Sequence, residues 1–316
     1  MISVSRRFVT YLRSKTYDKK LRNILELDKR EKQKFLDSFD MVLSDCDGVL
    51  WHVNDQIKNS GLALNLLKDA GKTCHLVSNN CLRSENEYYD KLTQINVKNI
   101  SEIEVVTPIK SVINYLKKID MRKPIYTIAD KYFNELYENV QQFVNDLPVK
   151  DEVGAVIFDI DLNLNVAKLD RANKYLQEPN CLFMVGACDY VIPLKEDLNV
   201  IGPEIFINLL RKLSNKRPYV LGKPGVLLAE YLFERFNIID PKRVLFIGDN
   251  LVQDIGFALN NDFQALLVLS GASNKADVQQ LPEVKQPHYF ANSIVDFVEF
   301  FNGVLALNND KDNLIS

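Results

Sequence analysis

The stretch DCDGVLW sets Asp45 and Asp47 two residues apart, ahead of Gly48 and directly after the apolar run FDMVLS. Carboxylates two apart on an extended chain project to the same side. Three further clusters share this setting, each following an apolar run: Ser78 and Asn79 in VSNN, Lys223 in LGKPG, and Asp249 and Asp254 in IGDNLVQDI. Residue type suggests the chemistry. A carboxylate at Asp45 can attack phosphorus and form an aspartyl-phosphate. Asp47 can protonate the leaving oxygen and then take a proton from the water that hydrolyses the intermediate. Two carboxylates facing a phosphate dianion repel each other, and a hard divalent cation relieves this. Mg2+ takes one or two carboxylates together with phosphate oxygens and waters. Asp249 is the expected second ligand beside Asp45, with the backbone carbonyl of Asp47 as a third. Asp254 is placed to hold a metal-bound water or to orient Lys223, whose ammonium is a point charge for phosphoryl oxygens. Ser78 and N–H groups at a helix start can donate to the same oxygens.

Each fragment alone reads as an ordinary loop, so the case rests on the elements that would bring them together. The runs 39–45, 72–80, 243–250 and 264–271 read as buried strands, and IEVVTP as another. Between them, GLALNLLKDAG, RSENEYYDKLTQI, PIKSVINYLKKI and VLLAEYLFERFNI have helical apolar spacing, and 288–301 closes the series as strand plus helix. Strands alternating with helices through short connections predict a parallel sheet covered on both faces. In such a sheet ligands bind beyond the C-terminal strand ends, where all four polar clusters fall. Residues 120–214 form a different-looking segment, which contains PIYTIAD, VGAVIFDID, KLDRANKYLQ, CLFMVG and PEIFINLLRKL and reads as a smaller α/β unit inserted into the first. The expected organisation is an N-terminal extension and helix over 1–38, a core over 39–119 and 215–303, an inserted cap over 120–214, and a tail over 304–316.

Composition agrees with a folded protein: 316 residues, 47% hydrophobic and 26% charged. A net charge of −3 gives no reason to expect a nucleic-acid or membrane partner. No apolar run is long enough for a transmembrane helix. Five cysteines, an odd number with no CxxC pair, read as free thiols in a reducing compartment. Cys46, between the two acids, is expected to point behind the active edge. The three histidines are far apart in sequence, which speaks against structural zinc. Residues 1–17 carry four basic residues and no acid; a basic leader on a cytoplasmic protein is the expectation, with a mitochondrial presequence as the alternative.

The order and the strings FLDSFDMVLSDCDGVLW, VSNN, LGKPG and IGDNLVQDI resemble the haloacid dehalogenase superfamily of phosphatases, in particular the group of phosphoglycolate, pyridoxal and para-nitrophenyl phosphatases. VGAVIFDID, AKLDRANKYLQEPNCLF and VGACDYVIPL extend the match through the insert, to cover about residues 32–302. The resemblance implies a Rossmann-like core with a substrate-selecting cap. It implies Asp45 as nucleophile, Asp47 as acid/base, Ser78, Asn79 and Lys223 on phosphate, and Mg2+ on Asp45, Asp47 and Asp249. Gly48 and Asp254 are supporting residues, and pairing of two copies through the cap is expected. The chain also departs from the pattern. Asn250 stands for the usual arginine of the last motif and Gln253 for a threonine, while Gly186-Ala187 replace a Thr-Asn pair ahead of Cys188-Asp189. Gly202-Pro203-Glu204 replace a Gly-Thr-Gly turn, which makes Asp189 and Glu204 the candidates for meeting the substrate and Glu204 a charge expected to disfavour phosphoglycolate. The leading expectation is a Mg2+-dependent phosphatase for a small phosphorylated metabolite. The alternatives are a dehalogenase, against which Asp47 argues because a halide needs no proton, and an idle paralogue that binds a ligand or partner.

Overall fold

The computed structural model describes residues 21–53, 55–130, 140–141, 152–195 and 198–312. The basic stretch 1–17 and the last four residues of the expected tail lie outside them.

The larger sheet has seven parallel strands of two to five residues, nearly all buried. Their order in space is Arg22–Asn23, Tyr289–Ala291, Gln264–Val268, Val244–Gly248, Met41–Ser44, Thr73–Val77 and Val105–Val106. Continuous apolar runs such as VLFIG and QALLV suit strands covered on both faces. One face packs on the helices Lys29–Asp37, Ser60–Asp69 and Asp296–Asp312, through Phe35, Leu64, Leu67, Phe297 and Phe300. The other packs on Val226–Arg235 and Gly256–Asn260, through Leu228, Leu232 and Phe257. Chain order reverses at Met41–Ser44: later strands lie to one side through 244–248, and the succeeding strands 73–77 and 105–106 to the other. That reversal opens a crevice at the strand ends.

The second sheet has five strands, with Tyr219–Val220, Leu182–Val185, Ala155–Phe158, Ile125–Ile128 and Val140–Gln141 in order, all pairings parallel. The helices Val166–Leu176 and Glu204–Ser214 cover one face. Two details shift the expected boundaries. Tyr219–Val220 falls in the segment assigned to the core, yet it pairs with Met184–Val185 of the insert. The helix Pro108–Lys118 likewise buries Ile109, Val112 and Leu116 against Ile125, Ile157 and Met184 of the second sheet. The insert is therefore anchored by a core-side helix and a returning strand. The final helix runs to Asp312, through residues read from the sequence as tail. Among the described residues no helix is long and apolar enough to cross a membrane.

Two short antiparallel hairpins, Trp51–His52 with Asp55–Gln56 and Val191–Lys195 with Leu198–Ile201, have no counterpart in the sequence reading. The first follows Asp47 in the chain, and the second follows Asp189 and brings Val191 and Ile192 to the crevice.

Candidate active site

Register brings the four motifs together. Ser44 pairs with Leu76 on one side and Ile247 on the other, so Asp45 emerges level with the ends of both neighbouring strands. Asp45 N–H donates to Ile247 O at 2.8 Å, and Ser78 N–H to Val106 O at 2.9 Å, which holds the exits of both strands. The crevice is lined from the core by Asp45, Asp47, Ser78, Asn79, Asn80, Asp249, Asn250, Gln253 and Ala272. From the insert, Ile160, Asp189, Val191 and Ile192 close it.

Lys223 is fully buried at the centre. Its Nζ lies 2.9 Å from Asp45 Oδ1 and 2.7 Å from Asp254 Oδ1. Burial works against its charge, but the carboxylates of Asp254 and Asp45 outweigh burial, and its pKa is raised. Asp254 is spent on the protein: Oδ1 holds Lys223 while Oδ2 accepts the N–H groups of Asp249 at 3.2 Å and Asn250 at 3.0 Å. Asp45 Oδ1 also accepts the N–H of Cys46 at 2.7 Å. Burial pushes the Asp45 carboxyl well above the ordinary range, against the pull of Lys223.

Asp249 sits in a cradle. Its Oδ2 accepts Ala272 N–H at 2.6 Å, and a Cβ on Gly48 would overlap that oxygen. Gly48 also has φ +80°, which only glycine adopts without strain. Burial, and then the neighbouring Asp254, push Asp249 up to about 7. Among the described residues, Asp45, Asp249 and Asp254 form a group whose ligand oxygens lie within 4.8 Å of one another. Three carboxylates share one ammonium there. That donor set, oxygen only and short of positive charge, fits a hard divalent cation. The Asp47 side chain is not part of this group. Its oxygens turn instead to Arg83 and Asn80.

Ser78 is buried at the end of its strand, and its Oγ accepts the N–H of Asn80 at 3.2 Å. Asn79 reaches sideways to the Lys223 loop. Its Nδ2 donates to Lys223 O at 3.0 Å and its Oδ1 accepts Lys223 N–H at 2.8 Å, so it braces the loop whose Lys223–Pro224 peptide is cis. Asn250 caps the turn Leu251–Ile255 by accepting the N–H groups of Val252 and Gln253. The residue standing for the usual arginine thus orders the turn that carries Asp254.

Gln253 links core and insert. Its Nε2 donates to Asp189 Oδ1 at 2.6 Å, and its Oε1 accepts from Asn79 Nδ2 at 3.2 Å. Asp189 lines the crevice, and burial raises its pKa. Glu204 does not line it: it opens the helix Glu204–Ser214, where its N–H donates to Asp189 O at 3.2 Å. Among the described residues, the carboxylate that the insert offers the crevice is Asp189. The sequence reading missed the Gln253 link and also Arg83, which it absorbed into the helix starting at 83. Cys46 is buried in the core cluster, where burial raises its pKa well above the thiol range, and the described cysteines are all free thiols.

Asp159 follows the strand Ala155–Phe158, next in the chain to Ile160 of the crevice wall, and is fully buried, with Oδ2 lacking a hydrogen-bond partner. A Cβ on Gly186 would overlap that oxygen, so the threonine of related sequences has no room here while Asp159 holds this position. Burial pushes Asp159 up to about 7, moderated by nearby N–H and thiol donors. The folded protein therefore holds a proton that the unfolded chain has released, and stability should fall as pH rises from about 4 to about 7. At 1.36 kcal/mol per pH unit the span from the ordinary value corresponds to about 4 kcal/mol. Asp159→Asn should thus raise the melting temperature at pH 8 and change it little at pH 4. Thermal denaturation of both proteins at the two pH values checks this.

A Rossmann-like parallel sheet with tandem acids, a buried lysine and a further acid pair at its C-terminal edge, under an inserted α/β cap, defines a hydrolase of one architecture. Comparison with known proteins agrees. Residues 42–142 match the family model described as haloacid dehalogenase-like hydrolase, and residues 220–297 a second, HAD-hydrolase-like model. A 4-nitrophenylphosphatase of Schizosaccharomyces pombe is 28% identical over 85% of this chain and 97% of its own length. Phosphoglycolate phosphatase 2 of Arabidopsis thaliana is 27% identical over 84% of this chain and 95% of its own. The crystal structure of glycerol phosphate phosphatase from Mycobacterium tuberculosis in complex with magnesium superposes with a TM-score of 0.70 at 18% identity, covering 88% of this chain and 78% of that one. The chain belongs to the haloacid dehalogenase-like hydrolases and to the phosphatases among them.

Proposed function

We propose that the protein hydrolyses phosphomonoesters of small metabolites in two steps through Asp45, and that it requires Mg2+. The observation that carries this reading is the placement of Asp45 Oδ1 2.9 Å from the buried Lys223 ammonium, beside Asp249 and beneath the cap. An Asp45 oxygen attacks phosphorus while the ester P–O bond breaks and the leaving oxygen takes a proton from Asp47. Water then attacks phosphorus, the aspartyl P–O bond breaks, and Asp47 takes the water's proton. In this reading Lys223 stabilises the phosphoryl oxygens and keeps Asp45 oriented, and Ser78 donates to the same oxygens. Asp45 and Asp249 would hold Mg2+, which supplies charge neutralisation when bound. Asp45, Asp47 and Asp249 line one crevice, which supports an active enzyme over an idle paralogue. Turnover of 4-nitrophenyl phosphate with Mg2+, and none in chelator, is the expected result. Failure to turn over any phosphomonoester with Mg2+ present overturns the reading.

Substrate class follows from the crevice walls. The cavity measures about 160 Å³, below the 300 Å³ or so typical of larger ligands, which suits a short metabolite. The insert offers it Ile160, Val191, Ile192 and the carboxylate of Asp189, and no lysine or arginine among the described lining residues. A substrate carboxylate about 5 Å from Asp189 would be opposed by roughly 3 kcal/mol at an effective dielectric of about 20. Phosphoglycolate should therefore have a kcat/KM at least about tenfold below glycerol phosphate, and Asp189→Asn should narrow the gap, whereas Glu204→Gly should not. An unchanged preference in Asp189→Asn would remove Asp189 from substrate selection.

A further inference from the structure

Asp47 is the residue whose partners the sequence least foretells. Arg83 Nη1 donates to both of its oxygens, at 3.0 Å to Oδ1 and 2.8 Å to Oδ2, and Asn80 Nδ2 donates to Oδ2 at 3.2 Å. The pair is shielded, with the side chains 13% and 23% exposed. Arg83 is itself anchored, since its Nη2 donates to Val53 O at 2.7 Å, in the hairpin that follows Asp47. Its backbone is fixed from both sides. Ser84 beside it caps the next helix in a capping box, and the Tyr88 hydroxyl donates to Asn80 O at 2.7 Å. Burial works against the Arg83 charge, but Asp47 outweighs burial and raises its pKa, so it stays a cation.

We infer that Arg83 is the positioning residue for proton transfer: it holds the Asp47 carboxyl where the leaving oxygen departs. The inference rests on the reading of Asp47 as acid and base. General acid catalysis needs its donor within hydrogen-bond reach in a defined orientation, and a carboxyl free to rotate loses much of the effect. A planar guanidinium anchored at both Asp47 and Val53 restricts that rotation in a way a single ammonium cannot. The loss from removing Arg83 should be selective. A nitrophenolate departs without a proton, whereas a phenolate, more basic, departs far better with one. A role confined to folding or phosphate binding would slow both esters alike.

The test compares 4-nitrophenyl phosphate with phenyl phosphate, two esters of similar size, with Mg2+ present. kcat/KM reports transfer to Asp45, the step in which the leaving oxygen takes its proton. The ratio of nitrophenyl to phenyl kcat/KM should rise at least about tenfold in Asp47→Asn and in Arg83→Ala, with Arg83→Lys between wild type and Arg83→Ala. A raised ratio in Asp47→Asn with the wild-type ratio in both Arg83 variants would overturn the inference while sparing the role of Asp47. A wild-type ratio in Asp47→Asn would overturn the role of Asp47 and the inference with it. If Arg83→Ala does not fold, Arg83→Lys decides, because it keeps charge and stem while losing the fork.

Discussion

Asp45→Asn should lower kcat for 4-nitrophenyl phosphate by on the order of 10⁴-fold or more while leaving the melting temperature near or above that of wild type. The amide is nearly isosteric but cannot act as the attacking group, and loss of a nucleophile removes the covalent route altogether. The folded protein should tolerate the change. Asp45 is half-buried beside Asp249, Asp254 and Lys223, and desolvation pushes its own pKa well up. Neutralising it leaves Lys223 with Asp254 at 2.7 Å, so the ammonium is not stranded. Steady-state kinetics and thermal denaturation of one preparation check both halves. Retention of a tenth of wild-type activity would exclude Asp45 as nucleophile.

Metal removal should have an effect of similar size. Excess chelator should abolish turnover, added Mg2+ should restore it, and Asp249→Ala should raise the Mg2+ concentration for half-maximal activity by at least about tenfold or abolish activity. The reason lies in the charge count at the crevice. Asp45, Asp249 and Asp254 have ligand oxygens within 4.8 Å of one another, and Lys223 is the cation in contact with two of them. A phosphate dianion cannot approach such a group without a further positive charge. A metal-binding readout independent of activity is the melting temperature, which millimolar Mg2+ should raise in wild type and not in Asp249→Ala. Full activity in chelator would contradict the assignment of Asp45 and Asp249 as ligands.

The core of the site was legible in the sequence because the motifs of Asp45, Ser78 and Asp249 each follow an apolar run that reads as a buried strand. Parallel strands of similar length deliver their C-terminal residues to one edge, so Asp45, Ser78 and Asp249 had to meet once the runs around them were read as strands. Lys223 was harder, since its strand, Tyr219–Val220, belongs to the second sheet and has only two residues. The lysine reaches Asp45 from the loop after it. Arg83 and Gln253 were not legible as partners because each contact is made across the chain, to Asp47 and to Asp189, by side chains with no periodic signature. Gln253 stood out only as a departure from the family pattern. Glu204 misled for the opposite reason: the departure at Gly202-Pro203-Glu204 is real in the sequence, but the residue begins a helix and does not line the crevice. The two antiparallel hairpins were not legible because their strands of two to five residues carry too little alternation to be read.

The covalent intermediate tests the central claim most directly. Asp47→Asn, which slows the water step, should be mixed with 4-nitrophenyl phosphate and Mg2+, quenched in acid during turnover, and reduced with borohydride, which converts an aspartyl-phosphate to homoserine. Peptide mass spectrometry should then find homoserine at position 45, dependent on substrate and absent from Asp45→Asn. Homoserine at another aspartate, or none at position 45 while product accumulates, would contradict the mechanism.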